Sequence, residues 1–182
     1  LLPQLPLPLF LYNMPTHTKV SFAPATIRRI AENPGVIGFK DSSANTVYFQ
    51  SWCMPWKIIR ISRCWWDRKK LWQNPYCWGL MAAVNGGANM FPELYVSLYN
   101  AAKNADMEGK WDVCRKKVMQ ISATIYTVGQ HGSSYLKGLK CALSLLGICS
   151  DYVAAPFHKF EQRERGKIWK ALQNLGVDVV LR

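Results

Sequence analysis

Two short apolar runs, one on each side of a helical pattern, constrain this chain more than any other feature. The first is Leu9-Phe10-Leu11-Tyr12-Asn13, stopped by Pro15. The second is Val36-Ile37-Gly38-Phe39-Lys40, bounded by Pro34-Gly35 before and Asp41-Ser42-Ser43 after. Each reads as a strand buried on both faces. Between them Phe22 to Asn33 predicts a helix, with Pro24 suited to its first turn and Ile27, Ile30 and Ala31 on one face. Strand, helix and strand within about 35 residues predict a βαβ unit, in which the strands are parallel and the crossover right-handed. The fold class expected is therefore α/β.

That topology has a chemical consequence. Lys40 ends a buried strand, the place where α/β barrels carry their catalytic groups. A lysine desolvated there loses preference for its charged form, and the neutral amine is a nucleophile for a carbonyl carbon. Tyr12 emerges at the same end of the neighbouring strand, where a phenol is placed to move protons as a carbinolamine forms and dehydrates. From the strand alone, an ordinary lysine snorkelling to solvent is the competing reading.

Tyr12-Asn13-Met14-Pro15 and Gly38-Phe39-Lys40-Asp41-Ser42-Ser43, in this order, resemble the dihydrodipicolinate synthase / N-acetylneuraminate lyase family of Schiff-base aldolases. The resemblance implies the C-terminal half of a TIM (β/α)8 barrel followed by C-terminal helices. Tyr12 would end the fifth strand and Lys40, the Schiff-base lysine, the sixth. Val84-Asn85-Gly86-Gly87-Ala88-Asn89-Met90-Phe91-Pro92 resembles the eighth strand and the loop after it, which places Val84, Asn85 and Gly86 at the substrate. Ser134 to Val177 resembles the helices that follow the barrel. On this basis residues 1–103 are expected to form a partial barrel and residues 104–182 a helical region.

The same resemblance implies pyruvate or a related 2-oxo acid as the small-molecule partner, no cofactor, no metal, and homo-oligomers among full-length relatives. Thr16 and His17 fall at the substrate carboxylate, where members that make dihydrodipicolinate carry an arginine two residues after the proline. An imidazole does not replace a bidentate guanidinium, so another 2-oxo acid, sugar-derived for instance, is an equal expectation. The family's Gly-Thr-Thr-Gly-Glu loop does not occur in these 182 residues. A complete barrel takes roughly 250 residues, so a truncated site without turnover is expected.

Between Ser51 and Ala82 the character of the chain changes. Trp52, Trp56, Trp65, Trp66, Trp72 and Trp78 fall here, with Lys57, Arg60, Arg63, Arg68, Lys69 and Lys70 against the single acid Asp67. No helical or strand period is visible. A basic, aromatic nucleic-acid surface, an interfacial membrane element and out-of-frame translation of a barrel segment compete. Trp and Met have single codons, which discriminates. Read one base earlier, Cys64-Trp65-Trp66-Asp67 is forced to Leu-Val-Gly and Tyr76-Cys77-Trp78-Gly79 to Leu-Leu-Gly, a strand end and a glycine-rich approach of the kind the family has there. We read residues 51–82 as frameshifted. Part of the net charge of +12 is then accidental, and neither nucleic acid nor membrane is expected as a partner. The alternatives are a basic Trp-rich binding module and a helical interaction protein built on residues 88–182.

The cysteines, at 53, 64, 77, 114, 141 and 149, include no C-x-x-C pair. That predicts a reducing, cytoplasmic setting without a disulfide framework or a zinc site. Helices are predicted over Glu93–Lys103, Trp111–Val128, Tyr135–Gly147 and Glu161–Leu175, with Gly147 and Gly176 closing the last two. His131 and His158 lie in predicted loops and read as structural.

Overall fold

The structure, a computed structural model, describes residues 4–53, 85–104, 106, 109–129 and 134–177. The chain divides into two compact units between Asn85 and Gly86.

In the first unit β1 (Leu9–Asn13) and β2 (Val36–Asp41) form a parallel pair. Phe10 lies opposite Gly38, Leu11 opposite Phe39, Tyr12 opposite Lys40 and Asn13 opposite Asp41. The crossover passes through a single turn, α1 (Pro15–Thr18), and then α2 (Pro24–Ala31); α3 (Thr46–Cys53) follows β2. The predicted βαβ unit is present. Pro15 and Pro24 each open a helix, where a missing N–H costs nothing because the first-turn donors have no intrahelical partner. Asn45 caps α3: its side-chain oxygen accepts the Tyr48 N–H at 3.0 Å. Gly38 is required by its neighbour, because the Phe10 ring occupies the space a Cβ would need.

The core of this unit is Ile27, Phe39, Phe49 and Trp52, with Leu11, Phe22 and Tyr48 packed against it. Phe39 meets Trp52 edge-on at 4.7 Å and Phe22 at 5.9 Å, and Trp52 meets Phe49 at 5.0 Å, separations at which aromatic edges and faces attract. Burial on both faces fails for β1: Leu9 and Leu11 are half-buried while Phe10 and Tyr12 are exposed. The alternation is that of a sheet packed on one side, and Tyr12 is thereby left accessible.

Ser51, Trp52 and Cys53, the first three residues of the stretch 51–82, complete the last turn of α3. A large apolar ring satisfies a core site whatever frame encoded it, but the Trp52 indole N–H is buried with no acceptor among the described residues. Residues 54–84 lie outside the described residues. The frameshift reading, the basic Trp-rich surface and the seventh and eighth strands therefore fall there.

The second unit opens with a 3-10 turn, Gly86–Asn89, followed by α4 (Pro92–Lys103), α5 (Lys110–Thr124), α6 (Ser134–Leu145) and α7 (Gln162–Asn174). All four predicted helices are found, although α5 ends at Thr124 and not at Val128. Ile125 and Val128 are nonetheless buried beyond its end. Gly147 and Gly176 adopt φ of 75° and 74°. At the first, Ile148 N–H reaches back to the Leu143 carbonyl at 3.0 Å and Gly147 N–H to Ser144 at 3.1 Å; Val177 and Gly176 repeat the pattern on Leu172 and Gln173. These are the reciprocal bonds that close a helix through a left-handed residue. Ile121, Ile125, Cys141, Ala142, Ile168 and Leu172 form the centre of the core. Gly138 lets α6 approach the Ile125 carbonyl so closely that a Cβ would strike it.

Candidate active site

The two residues that the sequence places at adjacent strand ends do meet. Tyr12 and Lys40 are register partners across the parallel pair, and Lys40 Nζ lies 3.9 Å from the centre of the Tyr12 ring. A cation over the face of a phenol is held by the ring's quadrupole, so the amine has a defined position despite its flexible stem. Lys40 is half-buried and Tyr12 is 43% exposed, so one side of the pair is open to an incoming molecule. The Tyr12 hydroxyl is tied on both sides. It donates to Met14 Sδ at 3.1 Å and accepts from Ser42 Oγ at 3.3 Å. Ser42 is therefore an approach by which a proton could reach or leave the phenol.

Thr16 and His17 lie on α1, immediately after β1, and both are exposed. Thr16 Oγ1 is 3.1 Å from His17 Nδ1, which leaves Nε2 as the ring atom directed elsewhere. Val84 lies outside the described residues. Asn85 is half-buried at the end of the first unit, and Gly86 opens the second. Gly86 has a packing reason to be glycine: the Tyr135 hydroxyl occupies the position its Cβ would take. His131 is outside the described residues, and His158 is exposed.

One residue further along each strand, Asn13 and Asp41 are almost fully buried, at 1% and 3% exposure. Asn13 Nδ2 donates to Asp41 Oδ1 at 2.8 Å. The carboxylate also accepts the Ser43 N–H at 3.0 Å and the Ser43 hydroxyl at 2.8 Å. Burial pushes the Asp41 carboxyl above the usual carboxylate range, and the bonds from Asn13 and Ser43 only partly offset it. Nearby, the Tyr48 phenol is raised as well, first by burial and then by the Asp41 charge; it donates to the Phe22 carbonyl at 2.7 Å. The motifs by themselves assign no role to Asn13 or Asp41. The signal was available: each directly follows a candidate catalytic residue, and period-two alternation sends it to the opposite face, into the core.

Among the described residues no three His, Cys, Asp or Glu side chains are grouped as a metal site would need. Among the same residues no helix is long and apolar enough to cross a membrane. The second unit carries an open cavity of about 510 Å³, lined in part by Met90, Phe91, Leu94, Val113, Cys114 and Ile121. None of the sequence-predicted site residues lines it.

Comparison with known proteins bears on this geometry. A sequence model described as the dihydrodipicolinate synthetase family matches residues 2–175. A 4-hydroxy-tetrahydrodipicolinate synthase from Jannaschia sp. (strain CCS1) is 28% identical over 173 residues, a match covering 94% of this chain and 56% of the relative. The solved structure of dihydrodipicolinate synthase from Bacteroides thetaiotaomicron superposes with a TM-score of 0.87 at 77% identity, covering 95% of this chain and 58% of that one. YagE, a prophage protein of the same family from E. coli K12 solved in complex with pyruvate, superposes with a TM-score of 0.80 at 23% identity, covering 94% and 57%. The chain thus spans little more than half the length of the relatives it matches.

Proposed function

The chain belongs to the dihydrodipicolinate synthetase family, and from that premise we propose that Lys40 is the amine of a Schiff-base carbon–carbon lyase acting on pyruvate or a related 2-oxo acid. In this reading β1 and β2 are the fifth and sixth strands of a (β/α)8 barrel. The observation that carries it is the pairing of Lys40 with Tyr12 across parallel strands, Nζ 3.9 Å from the ring centre.

The chemistry follows from the two groups. The neutral amine attacks the ketone carbon, its proton passes to the resulting oxygen, and a second proton, delivered through Tyr12, lets the carbinolamine hydroxyl leave as water to give an iminium. The cationic nitrogen then draws electrons from the neighbouring carbon, so that a proton or a carbon substituent departs from it without its electron pair. Tyr12 is the proton carrier, with Ser42 behind it. The nitrogen of Lys40 is itself the electron sink, so the reading calls for no cofactor.

Pyruvate is the favoured keto component because it is the molecule bound in the YagE structure. The aldehyde partner stays open on chemical grounds: His17 stands two residues after Pro15, and an imidazole offers no bidentate grip on a carboxylate.

Borohydride reduction in the presence of pyruvate, followed by mass spectrometry of the Lys40 peptide, tests the proposal. A stoichiometric adduct at Lys40, absent from Lys40→Arg, supports it. Adducts spread over surface lysines, with Lys40 unmodified, would overturn it.

A further inference from the structure

We propose that Asn13 and Asp41 are positioning residues that hold Tyr12 opposite Lys40, acting as a buried polar clamp across the two strands. The inference rests on the assignment of Lys40 as the reactive amine and goes beyond it to residues that touch no substrate.

Asn13 and Asp41 are register partners one step beyond Tyr12 and Lys40. Among the described residues they are also the buried members of the polar and charged class. Their bonds have one consistent assignment. The Phe22 backbone N–H can only donate, so the Asn13 atom 3.2 Å from it is the carbonyl oxygen. The amide nitrogen is then left to donate to Asp41 at 2.8 Å. The Ser42 N–H closes the arrangement on the Asn13 backbone carbonyl at 2.8 Å. Both strand ends and the entry to α2 are thereby joined at one point.

The clamp matters because parallel register is weakly specified by hydrogen bonds alone. A slip of one residue would turn Tyr12 and Lys40 to opposite faces, and a slip of two would separate them by roughly 6.6 Å along the strand. Apolar side chains in the surrounding core could fill the same volume without choosing a register. A buried carboxylate bonded to a buried amide tolerates no such slip, because the displaced charge would lose its partners. The chain thus keeps an ionisable group in a core where an apolar pair would fit, and the register it enforces is the one that sets the Lys40–Tyr12 contact.

The test uses the full chain and two measurements. In the first, lysines are reductively methylated with ¹³C-formaldehyde, and the Lys40 resonance is assigned by its loss in Lys40→Arg. In the parent it is displaced from exposed lysines by the Tyr12 ring current. That displacement is expected to vanish in Asp41→Leu and Asn13→Leu and to persist in Asp41→Asn, which retains the acceptor for Asn13. In the second, the rate of borohydride-trapped pyruvate adduct is expected to fall about 10²-fold in the leucine variants, the scale of a misplaced reacting group, with Asp41→Asn close to the parent. The Asn13→Leu/Asp41→Leu double variant is expected to be no worse than either single one.

A ring-current shift that survives Asp41→Leu would overturn the clamp, as would equal trapping by parent and Asp41→Leu. If the leucine variants do not fold, the decision passes to Asp41→Asn: loss of the shift in that folded variant would overturn the clamp equally. A parent that shows the shift but traps no pyruvate would instead overturn the assignment of Lys40 and leave the clamp standing.

Discussion

Lys40 Nζ sits over the face of the Tyr12 ring, 3.9 Å from its centre, and the two residues are partners in a parallel strand pair. The ring face holds the amine, the hydroxyl bonds Met14 and Ser42, and the proposed function gives that hydroxyl the proton transfer. Substitution separates these roles. Tyr12→Phe keeps the face and removes the hydroxyl. Its expected effect is a fall of about 10²-fold in the trapping rate with pyruvate, the lower end of what a positioned acid–base group contributes, with the ring-current shift of Lys40 retained. Unchanged trapping would remove Tyr12 from the chemistry.

The raised carboxyl of Asp41 makes a prediction about pH, with the sign set by linkage. Burial is the largest cause of the rise. The folded chain binds this proton more tightly than the unfolded chain, so the group's contribution to stability is fully present below the ordinary carboxylate value. It is lost as pH rises through the folded value. Lowering the pH toward the ordinary carboxylate value should accordingly raise this group's contribution to the urea midpoint, and Asp41→Asn should flatten that slope and be the more stable form at neutral pH. A D41N variant less stable than its parent at neutrality would contradict this.

Trp52 offers a test of how the core tolerates a residue from the aberrant stretch. Its ring packs against Phe39 and Phe49, yet its indole N–H has no acceptor among the described residues. A buried unsatisfied donor costs about 1–3 kcal/mol. Trp52→Phe removes the donor and keeps an aromatic ring, so a neutral to mildly stabilising change is expected, whereas Trp52→Ala should cost about 3–5 kcal/mol. Chemical denaturation of the three proteins distinguishes the outcomes.

Two helical glycines of the second unit should respond in opposite directions. Gly166 lies within α7 with nothing near the position of a Cβ, while at Gly138 in α6 that position is occupied by the Ile125 backbone carbonyl. Gly166→Ala should stabilise by about 0.5–1 kcal/mol through helix propensity. Gly138→Ala should destabilise, by about 1–3 kcal/mol, because backbone must move to admit the methyl. Thermal unfolding of both variants checks the contrast in sign.

Much of this molecule is legible in local pattern. The βαβ unit, the order of the four later helices and the closing roles of Gly147 and Gly176 all follow from apolar periodicity and from residues with restricted or unusual dihedrals. These signals act over a few neighbours, so the chain carries them without tertiary context. Two motif pieces, Tyr12 to Pro15 and Gly38 to Ser43, also bring the candidate site within reach, since parallel strands of a right-handed crossover end on the same side.

Other features were decided only by packing. The pattern of β1 does not say that Phe10 and Tyr12 stay exposed, because burial of a strand face depends on what the rest of the chain lays against it. The place of Trp52 in the core follows from the space beside Phe39, not from its own neighbours. The partnership of Asn13 with Asp41 spans 28 residues, and nothing local encodes it. Sequence by itself determined which side chains stand at the two strand ends. Tertiary structure decided which of them meet, because a hydrogen bond between distant side chains exists only once the core has set the register between them.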